Sequence, residues 1–88
     1  MAEKSNHWTI VAVSDSGDEV SIPAHPEEKL KTLLVKATHA LYGENAEPDK
    51  YELLIGGVKA DNLEATLEQA GLHSGSEVVV QIIDVHRG

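Results

Sequence analysis

The side chains in this sequence that could do acid–base, nucleophilic or metal chemistry are its histidines, serines and carboxylates. Five histidines stand at positions 7, 25, 39, 73 and 86. No two are separated by two or four residues, the spacings that put imidazoles on one strand or helix face, and no carboxylate cluster completes a tetrahedral site. They read as solvated surface residues, so the expected metal and cofactor complement is none. Ser14, Asp15 and Ser16 have no histidine at triad-like spacing, and neither a Gly-x-Ser-x-Gly elbow nor a phosphate-cradling glycine loop occurs. The absence of cysteine removes thiol nucleophiles, thiolate metal sites and disulfides together. Glu27, Glu28, Glu64 and Glu68 read as helix-start and solvent-facing charges, worth at most about a few tenths of a kcal/mol each. No catalytic residue is assigned, and the expectation is a protein that is not an enzyme.

Charge narrows the partners. Seven Lys plus Arg against fifteen Asp plus Glu give a formal net charge of −8. Such a field repels phosphate backbones and anionic lipid, so neither nucleic acid nor a membrane is an expected partner. The longest apolar runs, Val78–Val80 and Ile10–Val13, fall far short of the ~20 residues a membrane helix needs, and no signal or transit peptide is recognisable. By elimination the expected location is cytoplasmic.

The elements that must position any working surface follow from periodicity. A chain of 88 residues supports a single core. That core must be aliphatic, because Phe is absent and the only aromatic residues are Trp8, Tyr42 and Tyr51. Met1 to Asn6 are polar and unpatterned. Trp8–Val13 and Val20–Ile22 alternate around the turn-forming Asp15-Ser16-Gly17-Asp18, which predicts a β-hairpin closed by Pro23. Leu30, Leu33, Leu34, Ala37 and Leu41 form one stripe at helical period, predicting a helix over about 26–42 with Pro26 at its start and Gly43 at its end. Tyr51–Ile55 reads as a strand ended by Gly56-Gly57, and Val58–Ala60 as a brief return strand. A turn or two of helix is expected over 63–70, and the strongest strand is Val78–Val85. A final strand apolar on both faces belongs in the middle of its sheet. The order predicts an α+β fold, a four- to five-stranded mixed sheet with one long helix across one face, which is a β-grasp architecture.

The second half of the chain carries a more particular pattern. The segment Pro48-Asp49-Lys50-Tyr51-Glu52-Leu53-Leu54-Ile55-Gly56-Gly57 resembles the Pro-Asp-x-x-x-Leu-Ile-x-x-Gly segment that enters and leaves the third strand of ubiquitin-like proteins. Thr66-Leu67, Gly71-Leu72 and Ser74-Gly75-Ser76 are similar to the family's short helix and the turn before its last strand. Val78–Val85 then runs into His86-Arg87-Gly88, similar in place to the basic, glycine-terminated tail of that family. The resemblance covers residues 8–88. The unpatterned start predicts a flexible segment over 1–7, and the resemblance implies a ubiquitin-like domain over 8–85 and a tail over 86–88.

Three functions follow from the resemblance as expectations. The first is a small protein modifier whose Gly88 carboxylate is activated with ATP and passed through a thioester into an isopeptide link. Its partners would be activating and conjugating enzymes and target proteins. Family modifiers end in two glycines, and this chain has Arg87 before Gly88, so Arg87 becomes the candidate for tail recognition. The second is a protein-protein interaction module that is never conjugated. The third is a sulfur carrier of the same fold.

Alternation also predicts a binding patch. If Val78, Val80 and Ile82 face the helix, Val79, Gln81 and Ile83 face away. The same register turns Leu53 inward and Leu54 outward, at the place where the family has the centre of its recognition patch. Leu54, Val79 and Ile83 are therefore the candidate partner-binding residues, with Val11 and Val13 beside them if Ile10 and Ala12 point at the helix. A second copy of the chain is a further candidate occupant of that face.

Overall fold

The computed structural model describes residues 7–83. Strands β1 (Trp8–Ser14) and β2 (Glu19–Ala24) form the hairpin, followed by helix α1 (Leu30–Tyr42) and a 3-10 turn over Pro48–Lys50. Strands β3 (Tyr51–Ile55), β4 (Val58–Lys59) and β5 (Glu77–Ile82) complete the molecule. The sheet order is β2-β1-β5-β3-β4, with β1 and β5 parallel and the other pairs antiparallel. The result is the mixed sheet with one crossing helix that the sequence predicts, with β5 in its middle.

The hairpin turn is built by Ser14 and Gly17. The buried Ser14 hydroxyl accepts the amides of Ser16 at 3.2 Å and Asp18 at 3.0 Å, and Gly17 takes φ 97°, where a side chain would be strained. Pro23 does not close β2, which runs on to Ala24. The strand lies at the sheet edge, where a residue without an amide proton removes no ladder bond.

Helix α1 starts at Leu30 rather than Pro26. The carbonyls of Pro26 and Glu28 accept the amides of Glu68 at 3.0 Å and Leu67 at 2.9 Å, while the Leu30 amide donates to Ala65 at 2.8 Å. The Pro26 and Glu28 carbonyls are thus committed to a distant loop, and the first helical bonds are accepted by Lys29, from the Thr32 amide at 3.0 Å and the Leu33 amide at 3.2 Å. Glu27 and Glu28 are consequently not charges of the helix start. The Glu28 carboxylate instead pairs with Lys36 at 3.0 Å, tying this turn to the helix. At the other end Gly43 takes φ 105° and its amide caps His39 at 3.0 Å.

The same bonds explain why 63–70 forms turns and no α-helix. Leu67 and Glu68 spend their amides on Glu28 and Pro26, leaving the Ala70 amide to reach Thr66 at 3.0 Å and the Gly71 amide to reach Glu68 at 3.1 Å. The segment still delivers Leu67 and Leu72 to the core.

That core joins Ile10, Ala12, Ile22 and Ala24 of the hairpin to Leu30, Leu33, Leu34 and Ala37 of α1, Leu53 of β3, and Val78 and Val80 of β5. Val20 and Leu41 pack at its margin. Ile82 departs from expectation: it has the inward parity of β5 but is 54% exposed. The rings of Tyr42 and Tyr51 meet 4.6 Å apart at that end of the sheet and close the core before Ile82. β5 is a strand to Ile82, and the Ile83 amide donates to Lys50 at 2.9 Å. The expected strand residues Asp84 and Val85, and the tail residues His86, Arg87 and Gly88, lie outside the described residues. Among those described, no helix is long and apolar enough to cross a membrane.

Candidate recognition surface

Helix α1 covers one face of the sheet, and the residues of opposite parity form the other. Register places five of them in one line across all five strands. Lys59 of β4 stands opposite Leu54 of β3, Leu54 opposite Val79 of β5, Val79 beside Val13 of β1, and Val13 opposite Glu19 of β2. Three adjacent apolar residues thus occupy the centre of the row, with a cation at one end and an anion at the other. Leu54, Val79 and Val13 are half-buried, as expected of side chains flanked by neighbouring strands with nothing stacked above them among the described residues.

The rows on either side are polar or mixed. On one side Gln81 donates to Glu52 at 2.8 Å, and the same carboxylate meets Lys59 at 3.8 Å. On the other, Glu77 stands beside Val11, which faces Ser21. Leu54 and Val79 are therefore brought together and Val13 joins them. Ile83 is separated from them by the Gln81 and Glu52 pair and lies at the Asp49–Lys50 corner. The structure's grouping is Leu54, Val79 and Val13, with Ile83 as an outlier. Arg87 and Gly88 fall outside the described residues.

Two features of the surface escaped sequence reasoning. A groove lined by Leu30, Ile55, Val58, Ala60, Ala65 and Ala70 opens beside β4, with Val58 69% exposed at its lip. Its walls come from four separate chain segments, and no local spacing announces it. The second is a carboxylate clamp on the helix side. Lys29 and Lys31 each reach Glu64 at 2.9 Å. Hydrogen bonds from these two ammonium groups, Lys29 first, hold the Glu64 carboxyl down at about 2. Among the described residues no group of three or more histidine and carboxylate side chains could hold a metal ion.

No protein-family model and no curated protein matches the sequence. Solved structures do match. A ubiquitin from Caldiarchaeum subterraneum superposes with a TM-score of 0.75 at 20% identity, covering 92% of this chain and 99% of its own. An Arabidopsis thaliana protein solved by NMR with evolutionary couplings gives 0.77 at 18% identity, covering 97% and 96%. A protein designed de novo on the basis of ubiquitin gives 0.76 at 14% identity, covering 97% and 99%. With strand order, helix placement and end-to-end superposition in agreement, this chain has the ubiquitin-like β-grasp fold.

Proposed function

We propose that this chain works through protein contacts made by the outer face of its sheet, centred on Leu54, Val79 and Val13. The observation that carries the reading is the cross-strand row itself. Three apolar side chains stand side by side on the face opposite the helix, where the core has no use for them. Clustered apolar groups on a protein surface mark contact sites, and anchors at the centre of such a site commonly contribute more than about 1 kcal/mol each. The test compares the proteins captured by wild type and by Leu54→Ala, with Val58→Ala as a control at the sheet edge. Loss of the same partners in Leu54→Ala alone, at unchanged melting temperature, is the expected result. Equal capture by all three proteins would sink the reading.

A covalent role is the second reading, favoured by the position of β5. The middle strand ends at Ile82, and the Ile83 amide donates to Lys50, five residues before Gly88 in the sequence. In this reading the Gly88 carboxylate attacks ATP to give an acyl-adenylate and pyrophosphate. An enzyme thiol then displaces AMP, and a target amine displaces the thiol to leave an amide. Arg87 would select the activating enzyme through a bidentate pair with an acidic groove. A sulfur carrier would diverge after adenylation, with hydrosulfide attacking the acyl carbon and displacing AMP to give a thiocarboxylate. Intact-mass analysis after incubation with ATP and an activating enzyme from the same organism separates adenylate, thioester and thiocarboxylate. Absence of all three, with function retained after deletion of Arg87 and Gly88, would eliminate both covalent readings.

A further inference from the structure

The outer face is unevenly charged, and this asymmetry says what kind of partner it fits. Of the side chains that β1 to β5 present on that face, Glu19, Glu52 and Glu77 are anionic and Lys59 is the one cation. Lys59 is already engaged with Glu52. Glu19 and Glu77 are exposed and make no ion pair with any other described residue. Beyond Val13 the chain turns through the exposed Asp18 at the same end of the row as Glu19, while the Asp15 carboxylate accepts the Tyr42 hydroxyl of α1 at 3.4 Å. The other described lysines are elsewhere: Lys29 and Lys31 clamp Glu64, Lys36 pairs with Glu28, and Lys50 meets Glu47. The apolar row is thus flanked by two carboxylates outside any ion pair among the described residues, Glu19 at its β2 end and Glu77 beside Val79 on β5.

Resting on the reading of this face as a contact surface, we propose that its occupant is a cationic amphipathic helix of a partner protein, laid along the row with its lysines or arginines directed at Glu19 on β2 and Glu77 on β5. Spacing favours a helix. The row crosses strands about 4.8 Å apart, so Leu54 and Val13 stand about 10 Å from one another. Residues i and i+7 of a helix are about 10.5 Å apart along its axis, with i+3 or i+4 between them to meet Val79. An extended strand laid along the row would repeat its same-side groups only every ~6.6 Å and would miss the central valine. Charge then discriminates among occupants. A basic flank meets Glu19 and Glu77, whereas a second copy of this chain has a single strand cation to offer them, Lys59, already engaged with Glu52, and nucleic acid would bring phosphate to them. Complementary charge of this kind sets partner choice and encounter rate, while the apolar anchors hold the complex.

The experiment titrates the full, isotope-labelled chain with two synthetic helical peptides. Both carry leucines at i, i+4 and i+7, flanked in one by lysines and in the other by glutamates. The expected result is movement of the Val13, Leu54, Val79, Glu19 and Glu77 amide resonances with the lysine peptide, and binding at least about tenfold weaker for the glutamate peptide. The double variant Glu19→Lys/Glu77→Lys should reverse that order. Leu54→Ala should weaken both peptides. The spectra themselves report that each variant is folded. Equal binding of both peptides at Leu54 and Val79 would overturn the charge assignment and leave the contact face standing. Binding that moves only acidic loops, or no binding at all, would overturn the docking proposal whatever partners Leu54→Ala loses in the capture test. Movement of the same resonances on simple dilution, without peptide, would replace the basic helix by a second copy of the chain.

Discussion

The Tyr42 hydroxyl donates a 2.7 Å hydrogen bond to the carbonyl oxygen of Val80. The parallel pairing of β1 with β5 ends at Ser14 opposite Val80, after which β1 turns away at Asp15. The Asp15 amide in turn donates to the Tyr42 oxygen at 3.4 Å. A side chain from the end of α1 therefore bridges two backbone groups that the next ladder bond would otherwise have joined, and it locks helix, hairpin and middle strand at one point.

Replacing Tyr42 by Phe keeps the ring contact with Tyr51 and removes only the bridge. The expected loss is about 0.5–1.5 kcal/mol, the net contribution of a typical intramolecular hydrogen bond. Urea unfolding should show a lower midpoint at unchanged slope, because the surface exposed on unfolding stays the same. A stability equal to wild type would mean that water replaces the hydroxyl without cost.

The same hydroxyl predicts a pH dependence. Burial comes first among the influences that raise the Tyr42 pKa above its ordinary 10.0, with the nearby Asp15 charge adding to it. The folded state then holds the phenol proton more tightly than the unfolded chain. Its contribution is fully present below the unfolded pKa and is lost as pH rises from there through the folded value. Wild type should lose stability above about pH 10 more steeply than Tyr42→Phe, and the two curves should run parallel below it. Parallel curves throughout would show that the phenol titrates alike in both states.

Glu64 behaves in the opposite sense. Its carboxyl is held at about 2 by Lys29 and Lys31 against an ordinary 4.5. Whatever the clamp contributes is present above the ordinary value and disappears as pH falls through the folded one. A carboxyl-detected NMR titration should place the midpoint near 2 at low salt, and Lys29→Ala should move it upward. High salt should do the same, because the side chain is exposed. A midpoint near 4.5 in wild type would show that the two lysines are not held against it.

Thr38 is a buried hydroxyl on α1 at 0% exposure, with no hydrogen-bond partner among the described residues. Valine has nearly the same shape and nothing to desolvate. Thr38→Val should raise stability by about 1 kcal/mol, visible as a higher thermal midpoint. Destabilisation instead would reveal a partner for the hydroxyl.

What was legible in the sequence is what local period determines. Leu30, Leu33, Leu34 and Ala37 announce their buried face by spacing, and the strand alternation separates Leu53 from Leu54. What was not legible depends on residues far along the chain. The helix start moved to Leu30 because Leu67 and Glu68 claim the carbonyls of Glu28 and Pro26. Ile82 is exposed because Tyr42 and Tyr51 close the core first. Ile83 shares the parity of Val79, but a Gln81–Glu52 bond stands between them. In each case a tertiary contact overrides a correct local rule.

Leu53 and Leu54 turn this distinction into a measurement, because neighbouring leucines of one strand serve opposite faces. Leu53 is 1% exposed beneath α1, pairs with Val80 and belongs to the core. Leu53→Ala leaves a cavity that the surrounding sheet and helix can fill only in part, so it should cost about 2–5 kcal/mol, a large share of the stability of so small a domain. Leu33→Ala, from the helix side of the same core, should fall in that range as well. Leu54 points the other way and has no core to vacate. Leu54→Ala should change the unfolding midpoint little while weakening association of the outer face by about 1–2 kcal/mol. Paired measurements of denaturant midpoint and peptide affinity on the two variants decide the matter. If Leu54→Ala unfolds the domain as readily as Leu53→Ala does, then Leu54 is a stability residue and the outer face loses its proposed anchor.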